Sequence, residues 1–140
     1  MDIPGGLLDE LVRLSPHFKL QEFNQKQSPL SLEKIKVSPM LIQKLELLRS
    51  AIGDKPITIT SGYRTPEYNK KVGGVTNSQH IRGNAADIMV KGMSSQELKK
   101  YAEKVGFSFI QTYKDKPHLH VDIREPKEDY IKNITALLNR

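Results

Sequence analysis

Between His118 and Ile123 the chain alternates without a break: His, Leu, His, Val, Asp, Ile. In an extended strand successive side chains turn to opposite faces. Leu119, Val121 and Ile123 are therefore expected to face a core, and His118, His120 and Asp122 to form a polar wall. Such a segment belongs in a sheet with one covered face. Other stretches supply partners for it. Residues 56–60 alternate with β-branched side chains, and residues 85–90 and 107–113 read as further strands.

Helical patterns surround these strands. Leu41, Leu45, Leu48 and Ile52 recur at helical spacing behind Ser38-Pro39, an N-cap followed by a first-turn proline, and Gly53 closes the run. Leu98, Tyr101, Ala102 and Val105 form another stripe, opened by a Ser94…Glu97 capping pattern and stopped by Gly106. Thr65-Pro66-Glu67 opens a short helix to about Val72. Leu7, Leu8, Leu11, Val12 and Leu14 predict a helix ending near Pro16, and Tyr130, Ile131, Ile134, Leu137 and Leu138 a final one. Residues 24–37 are polar and read as loop. Helices precede, interrupt and follow the strands, which predicts an α+β fold, a small sheet covered by helices. A length of 140 residues suits one domain, with residues 1–37 packing onto the rest.

Three of the four histidines fall in two short segments, Ser78-Gln-His-Ile-Arg-Gly-Asn-Ala-Ala-Asp87 and His118-Leu-His120. Asp87 lies among strand residues whose neighbours Ala86, Ile88 and Val90 point to the core, so its carboxylate needs a partner. A cation would satisfy it. There is no cysteine, so a metal here must use His, Asp or Glu. Two histidines and one aspartate give zinc three protein ligands and leave one position for water, the pattern of a catalytic site. Arg64, directly after a strand and a Ser-Gly-Tyr turn, suits a bidentate clamp for a carboxylate, a geometry lysine cannot reproduce.

Ser-Gly-Tyr-Arg, then Ser-x-His-x-x-Gly-x-Ala-x-Asp, then His-x-His on a strand resembles the zinc D-alanyl-D-alanine carboxypeptidase family, from about Phe18 to Arg124. That family includes bacterial wall peptidases and phage endolysins and shares its fold with the hedgehog signalling domain. The resemblance implies a mostly antiparallel sheet, a Zn2+ cofactor bound by His80, Asp87 and His120, and a peptidoglycan peptide as substrate. It implies that Arg64 and Ser78 contact that substrate. Some members carry Glu or Asp three residues before the last ligand, where this chain has Pro117. His118 is then the expected base or donor, with Arg64 beside it in catalysis. A shifted register would make His118 the ligand and Asp115 the base. Asp122 faces the same side as both histidines and could orient one of them. The implied activity is hydrolysis of a stem-peptide or cross-link bond. The alternative is a wall-binding module with a structural zinc.

The formal charge of +6 favours an anionic partner such as a wall polymer. The lysines are scattered, and neither interleaved aromatics nor a nucleic-acid motif accompanies them, so no nucleic-acid partner is expected. No apolar run approaches the length of a membrane span, and stable insertion is not expected. The N-terminus lacks the basic and apolar regions of a signal peptide. The chain is expected to be made in the cytoplasm as a monomer and to reach a wall substrate on release, as a phage or phage-derived lysin would.

Overall fold

A computed structural model describes residues 13–24 and 34–124 of the chain. The helix expected at residues 130–138 and most of the loop at 24–37 lie outside these residues. So does nearly all of the helix expected to end near Pro16. Its last residues are not helical, and Arg13 makes an isolated antiparallel bridge with Lys19. A 3-10 turn at Leu20–Phe23 leads into the body of the fold. Among the described residues three α-helices follow, α1 (Pro39–Ala51), α2 (Pro66–Lys71) and α3 (Ser95–Val105). Four strands complete it: β1 (Thr58–Ser61), β2 (Ala85–Met89), β3 (Phe109–Thr112) and β4 (Leu119–Asp122). The strands form one antiparallel sheet in the order β1-β2-β4-β3. The α+β class and antiparallel sheet agree with the sequence expectation.

Strand boundaries shift most at β1 and β3, for backbone reasons. Pairing of β1 begins at Thr58, opposite Met89. Pro56 has no N–H to give a ladder. A register shift between Ile59 and Ser61 carries the strand on to Ser61, opposite Asp87. At β3 the partner strand spans only Leu119–Asp122, so pairing stops at Phe109 and Thr112. Phe107 is buried in the core without belonging to the strand.

Register separates the two faces of the sheet. Ile88 pairs with Leu119 and Ala86 with Val121, and all four are fully buried. Leu41, Leu45 and Leu48 of α1 and Leu98 and Ala102 of α3 join the same core. Full burial of each Leu contributes about 1.5–3 kcal/mol. The opposite face carries a cross-strand row of Ser61, Asp87, His120 and Gln111. Because side chains alternate, the pairing that buries Leu119 and Val121 also lifts His120 and Asp122 onto this second face. The helices hold their ends by simple means. Ser94 Oγ accepts from the Glu97 N–H at 3.1 Å, and Gly106 ends α3 at φ +84°. Thr65 caps α2 by accepting from Tyr68 N–H at 3.1 Å.

Candidate metal centre

Asp87 and His120 are direct cross-strand partners on β2 and β4. Asp87 Oδ1 lies 3.0 Å from His120 Nδ1 and 3.5 Å from His80 Nε2. One donor atom from each of His80, Asp87 and His120 lies within 4.8 Å of the other two, and all three residues are buried. His80 reaches the sheet from the turn before β2. Its Nδ1–H donates to the Gly62 carbonyl at 2.7 Å, which turns Nε2 toward Asp87 Oδ1. The approach depends on Gly62. A Cβ there would sit 2.7 Å from Phe23 Cα and 2.8 Å from its carbonyl oxygen. The Ser-Gly-Tyr-Arg turn can thus be wedged between the 3-10 turn and His80 only with glycine at its second place. Tyr63 N–H closes the wedge by donating to Phe23 O at 2.8 Å.

His120 is held from behind. Its Nε2 faces Asp122 Oδ2 at 2.7 Å. Asp122 is fully buried and receives Arg124 Nε at 3.0 Å, Arg124 Nη2 at 3.0 Å and the Arg124 backbone N–H at 3.1 Å. With Nε2 donating to a carboxylate, His120 presents Nδ1 to the cluster. A carboxylate behind an imidazole is the usual way to fix a metal-binding histidine. Burial alone would raise the Asp87 pKa, but hydrogen bonds and charge from His120 and His80 hold it well below the ordinary carboxylate range. Burial likewise opposes a proton on His120, yet its hydrogen bonds to Asp122 and Asp87 push its pKa up to about 9. Two imidazole nitrogens and a carboxylate oxygen, converging and backed by acceptors, fit a divalent cation such as zinc.

The cluster opens into a cleft of ≈ 430 Å3 bordered by Arg64, Ser78, His80, Tyr113, His120 and Arg124 among others. Arg64 Nε donates to Ser61 Oγ at 3.2 Å, and its Nη2 lies 3.7 Å from Asp87 Oδ2. Ser78 is buried and its Oγ accepts from the His80 N–H at 3.2 Å, so it also sets the His80 backbone. His118 is not one of the three clustered donors. It borders a smaller cavity of ≈ 170 Å3 with Ser61, Arg64, Tyr68 and Asp87. Its Nδ1 is buried and makes no hydrogen bond among the described residues. Asp115 is exposed, at φ +58° in the turn between β3 and β4.

Several residues escape sequence reasoning. Tyr113 Oη donates to Asp87 Oδ1 at 3.4 Å, and its ring meets that of His118 edge-on at 6.2 Å. Burial first, and then the Asp87 charge, push its pKa up to about 12. Phe109 stacks under Arg124, whose guanidinium carbon is 3.9 Å from the ring centroid. Extending the two-residue alternation backward along residues 109–113 would have placed Phe109, Gln111 and Tyr113 on one face. No local signal marks the Gly62 carbonyl or the buried Asn69 beside Arg64.

A family model described as Peptidase M15 matches residues 16–122. The chain is 42% identical over 67 residues to the zinc D-Ala-D-Ala carboxypeptidase of Streptomyces albus G, covering 48% of this chain and 26% of that protein. It is 25% identical over 124 residues to the peptidoglycan L,D-endopeptidase MepK of Escherichia coli K12, covering 84% of this chain and 64% of that one. The solved L-Ala D-Glu endopeptidase ChiX of Serratia marcescens aligns over 67% of this chain and 84% of its own, at 20% identity and a TM-score of 0.45. The chain spans only part of the length of both sequence relatives. The family match runs from just before the 3-10 turn to the end of β4 and takes in all three members of the donor cluster, so the chain belongs to the peptidase M15 family.

Proposed function

We propose that this chain is a zinc-dependent hydrolase of peptide bonds in peptidoglycan, acting on stem peptides or their cross-links. The observation that carries this reading is the convergence of His80, Asp87 and His120 within 4.8 Å of one another, with His80 and His120 bordering the larger cleft and Asp87 the smaller cavity. The named relatives act as a D-Ala-D-Ala carboxypeptidase and a peptidoglycan L,D-endopeptidase, which supports the substrate class. His80 would bind the ion through Nε2, His120 through Nδ1 and Asp87 through a carboxylate oxygen. A zinc ion held there supplies a Lewis acid that acidifies water and polarises a carbonyl.

The chain's own groups do the rest. Arg64 binds a substrate carboxylate from the side of the cleft, and Ser78 contacts the same substrate. His118 accepts a proton from the attacking water and returns it to the leaving amine, a transfer worth about 10²–10⁴ in rate. Its place beside Arg64 and Asp87 supports this assignment. The substrate puts the site of action in the cell wall, and we propose release from the cytoplasm during lysis as the route there. The net charge of +6 would aid adsorption to an anionic wall.

The test is digestion of purified peptidoglycan, with products read by mass spectrometry and metal content measured in parallel. Zinc-loaded protein should release free amines at one type of bond, and His80→Ala and Asp87→Ala should lose both zinc and hydrolysis. A zinc-loaded protein that adheres to peptidoglycan and cuts nothing would make it a binding module instead.

A further inference from the structure

Asn69 carries a set of contacts that the mechanism above does not use. It is 2% exposed, near the end of α2. Its Oδ1 accepts from Arg64 Nη1 at 3.3 Å, and its Nδ2 donates to the Val75 carbonyl at 2.8 Å. Its backbone carbonyl accepts from Gly74 N–H at 2.8 Å. The amide can point only this way. Turned over, its N–H2 would meet an arginine donor and its oxygen a carbonyl. Gly74 makes room for it, since a Cβ at that position would fall 2.1 Å from Asn69 Oδ1. The segment from Asn69 to Val75 is thus a buckle closed around one amide, and Gly74 and Val75 border the cleft.

The buckle meets Arg64 at Nη1, while Nη2 lies 3.7 Å from the cluster's carboxylate, Asp87 Oδ2. Arg64 Nε rests on Ser61 Oγ and Nη1 on Asn69 Oδ1, both neutral acceptors. Neutral acceptors fix the plane of a guanidinium without cancelling its charge. An aspartate at position 69 would give Arg64 a second carboxylate beside Asp87 and would have no N–H for Val75. We propose that Asn69 is a positioning residue: it aims Arg64 at the cleft without adding a second counter-charge to that of Asp87, and so sets the preference for substrates that present a free carboxylate. The proposal rests on reading Arg64 as the substrate clamp.

The test compares a stem peptide ending in a free carboxylate with the same peptide amidated. Both are hydrolysed by the zinc-loaded parent, N69A, N69D, R64A and the R64A/N69A double variant, with zinc content and Tm measured for each. N69A should raise KM for the carboxylate peptide about 10-fold, the scale of one hydrogen bond to a charged group. Its kcat should stay within about 3-fold of the parent, and KM for the amide should be unchanged. N69D preserves the shape, serves if N69A fails to fold, and should raise the carboxylate KM further. In the R64A background N69A should add nothing. Equal effects on both peptides, or an N69A effect that persists without Arg64, would overturn the proposal and leave the clamp standing. If R64A itself leaves the carboxylate preference intact, the clamp reading falls, and the role of Asn69 falls with it.

Discussion

Replacing Asp122 with asparagine probes whether the cluster is built for a cation. Asp122 is fully buried, with Oδ2 2.7 Å from His120 Nε2. Asparagine keeps the shape and one acceptor but removes the charge. A hydrogen bond to a charged group is worth about 1.5–3 kcal/mol and a neutral one about 0.5–1.5. The difference, on the order of 1–2 kcal/mol, is about 5- to 30-fold in affinity and overlaps the lower part of the roughly 10- to 100-fold loss usual when such a backing group is removed. Protons complicate the measurement in a useful way. In the metal-free protein the His120 pKa stands at about 9, raised by Asp122 and Asp87 against burial. At pH 7 zinc must therefore displace a proton held at a cost of roughly 2–3 kcal/mol. Asp122→Asn lets that pKa fall back toward its ordinary value, so the proton competes less. The defect in zinc affinity should be small near pH 7 and reach about 10- to 100-fold near pH 9. Competition with a chromophoric chelator at both pH values reads it directly. Parent-like affinity at both, or a larger defect at pH 7 than at pH 9, would refute the placement of Asp122 behind a metal-binding imidazole.

Further expectations follow from the same geometry. A raised histidine pKa stabilises the folded chain fully below about pH 6.5, and that stability is lost as pH rises through about 9. The metal-free protein in chelator should lose on the order of 5 °C in Tm between pH 6.5 and 9.5, and the zinc-loaded protein should not; a metal-free Tm that climbs over this interval contradicts the assignment. His118→Ala should keep stoichiometric zinc and lose about 10²-fold or more in kcat, whereas loss of the metal would move His118 into the ligand set and Asp115 into the role of base. Gly62→Ala forces a Cβ to within 2.8 Å of the Phe23 backbone. It should destabilise the fold by about 1–3 kcal/mol in denaturant titration, and an unchanged midpoint would show that the wedge can relax.

The division between sequence and tertiary structure falls along the range of the forces involved. Local patterns carried the elements, because a helix or strand advertises its buried face by period. Leu41, Leu45 and Leu48 announced α1, and Leu119 and Val121 announced β4, along with the opposite face that holds His120 and Asp122. Strand ends did not show locally. The end of β3 is set by how far β4 extends beside it, a property of another segment. His80, Asp87 and Arg64 stood out as unusual residues in a recurrent order, but their chemistry was named through a family likeness. What only the folded chain decided is how those groups are held. The Gly62 carbonyl fixes one imidazole, Asp122 fixes the other, and Asn69 steadies the guanidinium. These are hydrogen bonds a few ångströms long between residues up to eighteen apart in the chain. Such bonds depend on three-dimensional register, and no periodicity of one segment encodes where a distant segment will place its acceptor.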